Sequence, residues 1–414
     1  MQYADEFSVL DFVSSISGAV DLISRELNNH HKKVAYIAFH LAKEMGLPDE
    51  EIRDVFIASI LHDIGSFTGT ERQKLTKVGF DDNLLDQHAI MGHKLLLSFE
   101  PLKNAARMIR YHHTHYDKID FEIPIGSYII HLADRISVIV EDCYEVLEQV
   151  PHILRSVMER QAIFHPDTIL ALEKLTKLEY FWIEICTITL DKVLPKRIQS
   201  LKKIVGLDEL RSFSKLVSYI IDFRSRFTST HSAGVAAVAT ELTKIYGFSS
   251  RECKMMEIAG YLHDLGKLAI DDCILEKNGT LNHREFNAMR KHSYFTYIVL
   301  EKIEGFEQIA EWASHHHERL DGNGYPFHVR GEDFSKMARI MCVADIVTAI
   351  TEDRPYRKGM DSEKSIKILS DMAANGGIDQ GIVDIVSDNF SQINEARMAA
   401  QMGAAMDYAT FYER

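Results

Sequence analysis

The chain has 414 residues, is 46% hydrophobic and carries a formal charge of −14. That length allows two domains, each with a core of its own. The acidic balance excludes a nucleic acid polymer or an anionic membrane surface as the main partner, while a small phosphorylated ligand needs only a local cationic pocket.

Five cysteines, Cys143, Cys186, Cys253, Cys273 and Cys342, are scattered without a C-x-x-C pair. This usage points to a reducing compartment and away from a disulfide framework or a thiolate zinc site. There is no apolar run long enough to span a bilayer and no basic region followed by an apolar one at the start, so the expected location is the cytoplasm. Eight prolines and few alternating apolar and polar runs predict an all-α fold.

In chain order, Phe7, Leu10, Val13, Ile16, Val20, Ile23 and Leu27 recur at helical spacing and predict a helix over 7–27. A second helix runs from His30 through Val34, Ile37 and Leu41 to Met45 and stops at Gly46. Pro48 opens a third at its first turn, and that helix delivers His62-Asp63. A polar stretch over 68–82 leads to a helix carrying His88, and another helix ends in Tyr111-His112-His113. Further helices are expected over 128–150, through Asp134, and over 164–194. The pattern then restarts. A helix over 213–227 precedes one that begins at His231 and ends near Gly247, and the next delivers His263-Asp264, followed by His292, His316-His317 and Asp345.

The spacings make this a duplication. His30 and His62 are 32 residues apart, as are His231 and His263; His88 and His112 are 24 apart, as are His292 and His316. One constellation occurs twice on fixed helices with loops of different length, at a period near 200, which is not a solenoid. The boundary is placed near Pro195, giving domains 1–194 and 195–414. The tail from Phe390 is read as a helix without a motif.

In the second half, His231, His263, Asp264, His292, His316, His317 and Asp345 supply five imidazoles and two carboxylates. Without a thiolate, this set suits iron or manganese, with zinc, nickel or cobalt as alternatives. Seven donors are too many for one tetrahedral zinc and fit two ions that share Asp264 and a water. Two such ions acidify the water and hold a phosphoryl oxygen, an arrangement for hydrolysing phosphate esters. His283 and His328 read as surface or packing residues, and His315 as a neighbour of the ligands. Lys196 to Lys203 reads as a solvated linker, and Tyr180, Phe181 and Trp182 as an interdomain or homodimer contact.

These residues resemble the HD-GYP domain, a branch of the HD phosphohydrolase superfamily. The resemblance covers 195 to about 390 and rests on His231-Ser232, His263-Asp264-Leu265-Gly266-Lys267, His316-His317-Glu318-Arg319-Leu320-Asp321-Gly322-Asn323-Gly324-Tyr325-Pro326, and Asp345 through Asp353-Arg354-Pro355-Tyr356-Arg357. It implies a helical domain with two or three metal ions that hydrolyses a cyclic dinucleotide, cyclic di-GMP or cyclic GMP-AMP. His231, His263, Asp264 and Asp345 are then ligands of one ion and His292, His316 and His317 of the other, with Asp264 bridging. Lys267, Arg354 and Arg357 are implied phosphate contacts, where a cation meets a phosphodiester. Gly324, Tyr325 and Pro326 are implied to shape the substrate cleft. Asp264 and Lys267 are the implied catalytic pair, with a metal-bridging hydroxide attacking phosphorus to give the linear dinucleotide. Family members with a third ion have an acidic residue one turn before the first His, where this half has Phe227. Thr348 stands where many members have Asp.

The first half resembles an HD domain with Glu26, His30, His62, Asp63, His88, His112, His113 and Asp134 in place, a set for two or three ions. Ser66 replaces the lysine, and Thr114-His115-Tyr116-Asp117 replaces the Gly-Tyr-Pro loop. The expectation is a metal-dependent cyclic dinucleotide phosphodiesterase acting through the second half. The alternatives are a catalytically silent signalling or binding module, or a phosphohydrolase of other small phosphoesters through the first half.

Overall fold

A computed structural model of the chain describes residues 6–21, 29–66, 86–141, 145–185, 190–223, 230–353 and 357–412. The fold is all-α apart from one short antiparallel ribbon. It divides into two compact units, residues 16–203 and residues 1–15 with 204–414.

In the first unit the helices are the second half of α1 (Val9–Asp21), α2 (His30–Glu44), α3 (Asp49–Ile60), α4 (Asp86–Leu97), α5 (Lys103–Arg110), α6 (Ile125–Ile139), α7 (Val146–Met158), α8 (Pro166–Leu175), α9 (Glu179–Ile185) and α10 (Leu190–Arg197). The centre is α2, buried almost continuously from His30 to Ala42 and packed on α3 and α6. A helix buried on nearly every side is a central one, even though His30, His31, Lys33 and His40 are among its buried residues. It ends where Gly46 takes a left-handed conformation, φ 77°, which glycine adopts without a side-chain clash.

The second unit repeats the plan with α11 (Leu207–Phe223), α12 (His231–Ile245), α13 (Ser250–Leu262), α14 (Asp272–Leu275), α15 (His283–Met289), α16 (Lys291–Leu300), α17 (Glu307–Ser314), α18 (Lys336–Thr351), α19 (Ser362–Ala374), α20 (Gln380–Asp388) and α21 (Phe390–Tyr412). Its centre is α12, enclosed by α13, α18 and α21. At the α12–α13 crossing a Cβ on Gly260 would lie 2.5 Å from Ala236 Cα, so only glycine permits this approach.

Several elements differ from the sequence expectation. Phe7 is not helical: Glu6–Ser8 forms β1, which pairs with β2 (Ile204–Gly206) in the register Phe7 to Val205. Residues 6–15 therefore belong with the second unit, and Phe7 and Phe12 pack against Phe306 there. The first helical run thus contributes to both cores, and a single periodicity hid the change of partner. The two compact units meet at 203/204, and Pro195 lies inside α10. Pro48 precedes α3 as its cap residue and not in its first turn. The expected helix over 128–150 ends at Ile139 and a new one begins at Val146, and the one expected over 164–194 is broken between Leu175 and Glu179. Phe181 and Trp182 are buried, with Phe181 packed on Tyr36 and His40 of α2, so these two rings belong to the core of the first unit, while Tyr180 is exposed. Cys253, Cys273 and Cys342 are free thiols, while Cys143 and Cys186 lie outside the described residues. Among the described residues no helix is long and apolar enough to cross a membrane.

Candidate metal centres

The centre of the second unit is built on the turn that follows α13. A capping box starts that helix: Ser249 Oγ accepts from Glu252 N at 3.2 Å, and Ser249 N donates to Glu252 Oε2 at 2.8 Å. Its far end delivers His263 and Asp264. Gly266 then carries the chain against α16, where Gly266 N donates to Thr296 Oγ1 and Thr296 Oγ1 donates to His263 O. This fixes the His263-Asp264 turn on the helix that holds His292.

The seven expected donors converge. His263 Nε2 is 3.2 Å from Asp264 Oδ2, while His292 Nε2 and His316 Nε2 are 3.5 and 3.9 Å from Asp264 Oδ1. His231 Nε2 is 3.1 Å from Asp345 Oδ1, and His317 Nδ1 is 3.9 Å from Asp345 Oδ2. Two groups have donor atoms within 4.8 Å of one another: His231, His263 and Asp264, and His292, His316 and His317. Asp264 thus offers one oxygen to each group. His315, as expected of a neighbour, lies against Phe327 and Phe334.

The ring orientations are set by the backbone. His263, His292 and His316 each donate Nδ1–H to the carbonyl three residues earlier, Gly260, Met289 and Ala313, at 2.6–2.8 Å. That choice of tautomer leaves Nε2 with a lone pair facing the cluster. Electrostatics agrees with a cation-binding role. Burial pushes His316 and His317 below the usual imidazole range and His292 down to about 3, so these rings are neutral. Despite burial, Asp264 is held well below the carboxylate range by His263 and Lys267, so it is ionised. His231 is the exception: against its burial, Glu352 and Asp345 push it up to about 10. In the ion-free protein a proton on His231 supplies positive charge that a metal ion would replace, and binding would release it.

Two features of this centre were not foreseen. Glu352 is buried, with Oε2 3.2 Å from His231 Nδ1, and orients that ring as the carbonyls orient the others. It stands seven residues after Asp345, just past the C-terminal end of the same helix, which is the only sequence signal for it. Thr348, one turn after Asp345, is turned onto its own helix, donating to Ala344 O. The tail is also part of the centre's support: Gln401 of α21 donates to Glu352 Oε2, and Arg397 holds Gln401.

Lys267 Nζ lies 2.5 Å from Asp264 Oδ2, and Asp264 keeps it above its ordinary range against the cost of burial. The Gly-Tyr-Pro loop is held by Glu318, whose buried carboxylate accepts from Phe327 N, His328 N and Val329 N. Gly324 passes so close to Glu318 that a Cβ would sit 2.4 Å from Glu318 Cα. Tyr325, followed by Pro326, puts its ring 4.9 Å from that of His317, with the Arg290 guanidinium 4.8 Å over its face. Arg290 was not foreseen. Arg357 donates to Ala349 O near the C-terminal end of α18. Arg354 and Phe227 lie outside the described residues.

The first unit assembles the matching donors. Asp63 Oδ2 is 3.3 Å from His62 Nε2 and 3.9 Å from His30 Nε2, and Asp63 Oδ1 is 3.2 Å from His88 Nε2. His30 Nε2 is 3.3 Å from Asp134 Oδ1, and His88 Nε2 lies 3.3 and 3.1 Å from His112 and His113 Nε2. His62 and His112 donate Nδ1–H to Ser59 O and Ile109 O. Ser137, one turn after Asp134, meets His30 Nδ1 at 3.0 Å, so a hydroxyl does here what Glu352 does in the other unit. Arg135 is paired with the remaining oxygen of Asp134. Glu26 lies outside the described residues.

Comparison with known proteins agrees with this duplication. Two family models described as HD domain match residues 28–139 and 215–382. The 3′3′-cGAMP-specific phosphodiesterase 1 of Vibrio cholerae serotype O1 is 30% identical over 406 residues, which span 93% of this chain and 92% of that protein. Phosphodiesterase 3 of the same name and organism is 24% identical over 88% and 91%. A cyclic di-GMP phosphodiesterase of Pseudomonas aeruginosa is 34% identical over 42% of each chain. A solved Vibrio cholerae cyclic GMP-AMP-specific phosphodiesterase shares the fold, with a TM-score of 0.62 at 20% identity over 95% of this chain and 98% of that one. The fold and its two histidine–aspartate centres are those of metal-dependent HD hydrolases. Within that class the chain belongs to the tandem HD/HD-GYP phosphodiesterases.

Proposed function

We propose that residues 204–414 open a 3′3′-cyclic GMP-AMP ring to the linear dinucleotide, and that residues 16–203 hold metal in a supporting role. The observation that carries the first part is Asp264, which offers one oxygen to each donor group while Lys267 sits on the same carboxylate. A pair of divalent ions, when bound, acidifies water and neutralises phosphoryl charge. Five imidazoles and two carboxylates suit iron or manganese.

The chain's own residues do the rest. The carbonyl anchors of His263, His292 and His316 keep their Nε2 atoms inward without reorganisation at the moment of reaction. Lys267 places a cation beside the Asp264 carboxylate, where a phosphodiester would bring negative charge. His317 is the more open of the metal-facing rings, with 32% of its side chain exposed, and Tyr325 beside it offers an aromatic face at the edge of the centre for a base. Support for cyclic GMP-AMP over cyclic di-GMP comes from coverage. The two relatives above that span both units carry the 3′3′-cGAMP name, and the cyclic di-GMP relative above spans less than half.

The test is the full chain loaded with iron or manganese and given each cyclic dinucleotide, with products followed by chromatography. The expected result is conversion of 3′3′-cyclic GMP-AMP to the linear form faster than cyclic di-GMP, abolished by Asp264→Ala and retained in Asp63→Ala. An intact cyclic GMP-AMP pool with both metals refutes the assignment. Loss of turnover in Asp63→Ala moves the chemistry to the other unit.

A further inference from the structure

We propose that His31 is a fifth protein ligand to the ion that His30, His62, Asp63 and Asp134 would hold, so that the two centres of this chain differ in how many positions they leave open. The inference rests on metal binding by the first unit.

Three imidazoles surround one oxygen. His62, His30 and His31 place their Nε2 atoms 3.3, 3.9 and 3.9 Å from Asp63 Oδ2. Their ring centroids form a nearly equilateral triangle, 5.4 Å from His30 to His31, 5.3 Å from His30 to His62 and 5.4 Å from His31 to His62. Donors around one ion at about 2.1 Å stand about 3 Å apart when adjacent and about 4.2 Å when opposite. The three distances fall in that range. The donor atoms of His31, His62 and Asp63 lie within 4.8 Å of one another, as do those of His30, His62 and Asp134. His62 has a single inward nitrogen, because its Nδ1 donates to Ser59 O, so the two groups share one donor atom that can serve only one ion.

The ordinary alternative is a buried histidine used for packing. Other buried histidines in this chain show what that looks like. His40 lies among Tyr36, Phe39 and Phe181, His131 against Phe164, and His315 against Phe327. His31 faces two imidazoles and a carboxylate instead. His31 and Asp63 also line a cavity of about 10 Å³, together with Ile16, Ser17, Ile60, Leu61 and Ile64, which is about one water-sized sphere.

The other unit shows the same position without this function. Ser232 follows His231, and its Oγ and N both donate to Asp222, at 2.8 and 3.2 Å. Four protein donors there would leave a six-coordinate ion two positions for other oxygens. Five donors in the first unit leave one. The first centre would therefore grip its ion more firmly and give a phosphodiester less access.

The experiment uses the full chain, stripped by a chelator and reloaded with Co²⁺. Crystals of the loaded wild type, measured at the cobalt edge, locate each ion. An ion within about 2.3 Å of His31 Nε2 is expected. In solution, His31→Ser should release one ion per chain to a chelator faster by about 10–100-fold and change the cobalt absorption bands. An ion held by His30, His62, Asp63 and Asp134 with His31 beyond about 3 Å, or unchanged release and spectrum in a folded His31→Ser, overturns this inference and leaves metal binding standing. No ion in residues 16–203 overturns both. If His31→Ser does not fold, the wild-type crystals alone decide.

Discussion

Replacing Gly266 by alanine moves ligands without removing one, and so asks which unit performs the chemistry. A Cβ at Gly266 would lie 1.9 Å from His292 O and 2.7 Å from Thr296 N, both main-chain atoms of α16. Ordinary contact begins at about 3.4 Å, so the His263-Asp264 turn must retreat from α16 by about 1.5 Å. That movement separates the donor groups that Asp264 joins, and a displacement of about 1 Å in a site can cost on the order of 100-fold in rate. Gly65→Ala is the matched perturbation in the first unit, where a Cβ would meet His88 O at 2.1 Å and Gly92 N at 2.5 Å. Gly403→Ala is the control, because nothing lies within 4 Å of a Cβ there; a helical alanine should stabilise by about 0.5–1 kcal/mol. The assay is kcat/KM on 3′3′-cyclic GMP-AMP together with metal per chain. Gly266→Ala should lose at least about 100-fold in kcat/KM and ions from the second unit. Gly65→Ala should lose ions from the first unit and keep turnover within a few-fold. Wild-type turnover and metal content in Gly266→Ala would refute the reasoning that this turn's docking on α16 assembles the centre.

Two further changes separate orientation from ligation and stability. Glu352→Gln keeps a hydrogen-bonding group near His231 Nδ1 but removes the charge; metal affinity of the second unit, read by chelator competition, should fall roughly 10–100-fold while the unfolding temperature of the metal-free protein changes little. Equal affinity in the variant would show that Glu352 does not orient His231. His40→Phe addresses acid stability: burial and the nearby Arg197 push His40 down to about 4 from 6.5, so the unfolded chain takes up a proton in that interval that the folded one refuses. Stability therefore falls as pH drops through 6.5, and the loss is complete near pH 4, at most about 3 kcal/mol. The variant should flatten the decline in unfolding temperature of residues 16–203 between pH 6.5 and 4.5; an unchanged decline would place the proton uptake elsewhere.

The metal-facing histidines and aspartates were legible because their spacing repeats. His263 and Asp264 must follow one helix, His292 must begin another, and Asp345 must sit inside a third, so sequence distance encodes the geometry. Glu352 was not legible, because its service to His231 depends on how α18 aligns with the start of α12. The same holds for Gln401, which reaches Glu352 from a helix with no motif. Phe7 fitted a helical period yet pairs as a strand, since three residues are too few for a period of 2 to show against one of 3.6. His31 was not legible because the repeat gives it no counterpart, the matching residue after His231 being Ser232; the ring triangle with His62 shows that both face Asp63.

The two units keep the same inner donors and change what stands behind them. In the second unit, Glu352 adds charge behind His231, Lys267 balances it at Asp264, and Ser232 is tied back to Asp222. In the first, a neutral Ser137 stands behind His30, Ser66 takes the place of the lysine, and Arg135 is paired with Asp134, a carboxylate an ion would need. On the proposed function the lysine would matter most for turnover, since a cation beside Asp264 would meet substrate charge. The arginine acts oppositely, drawing charge from a ligand on the side away from His30. A duplication that had simply decayed would have lost donors first, because a buried aspartate or imidazole without its ion is costly to keep. All seven positions that match the second unit's donors survive, while the surrounding cations have moved, which is the pattern expected when metal holding is retained and phosphoryl transfer is not.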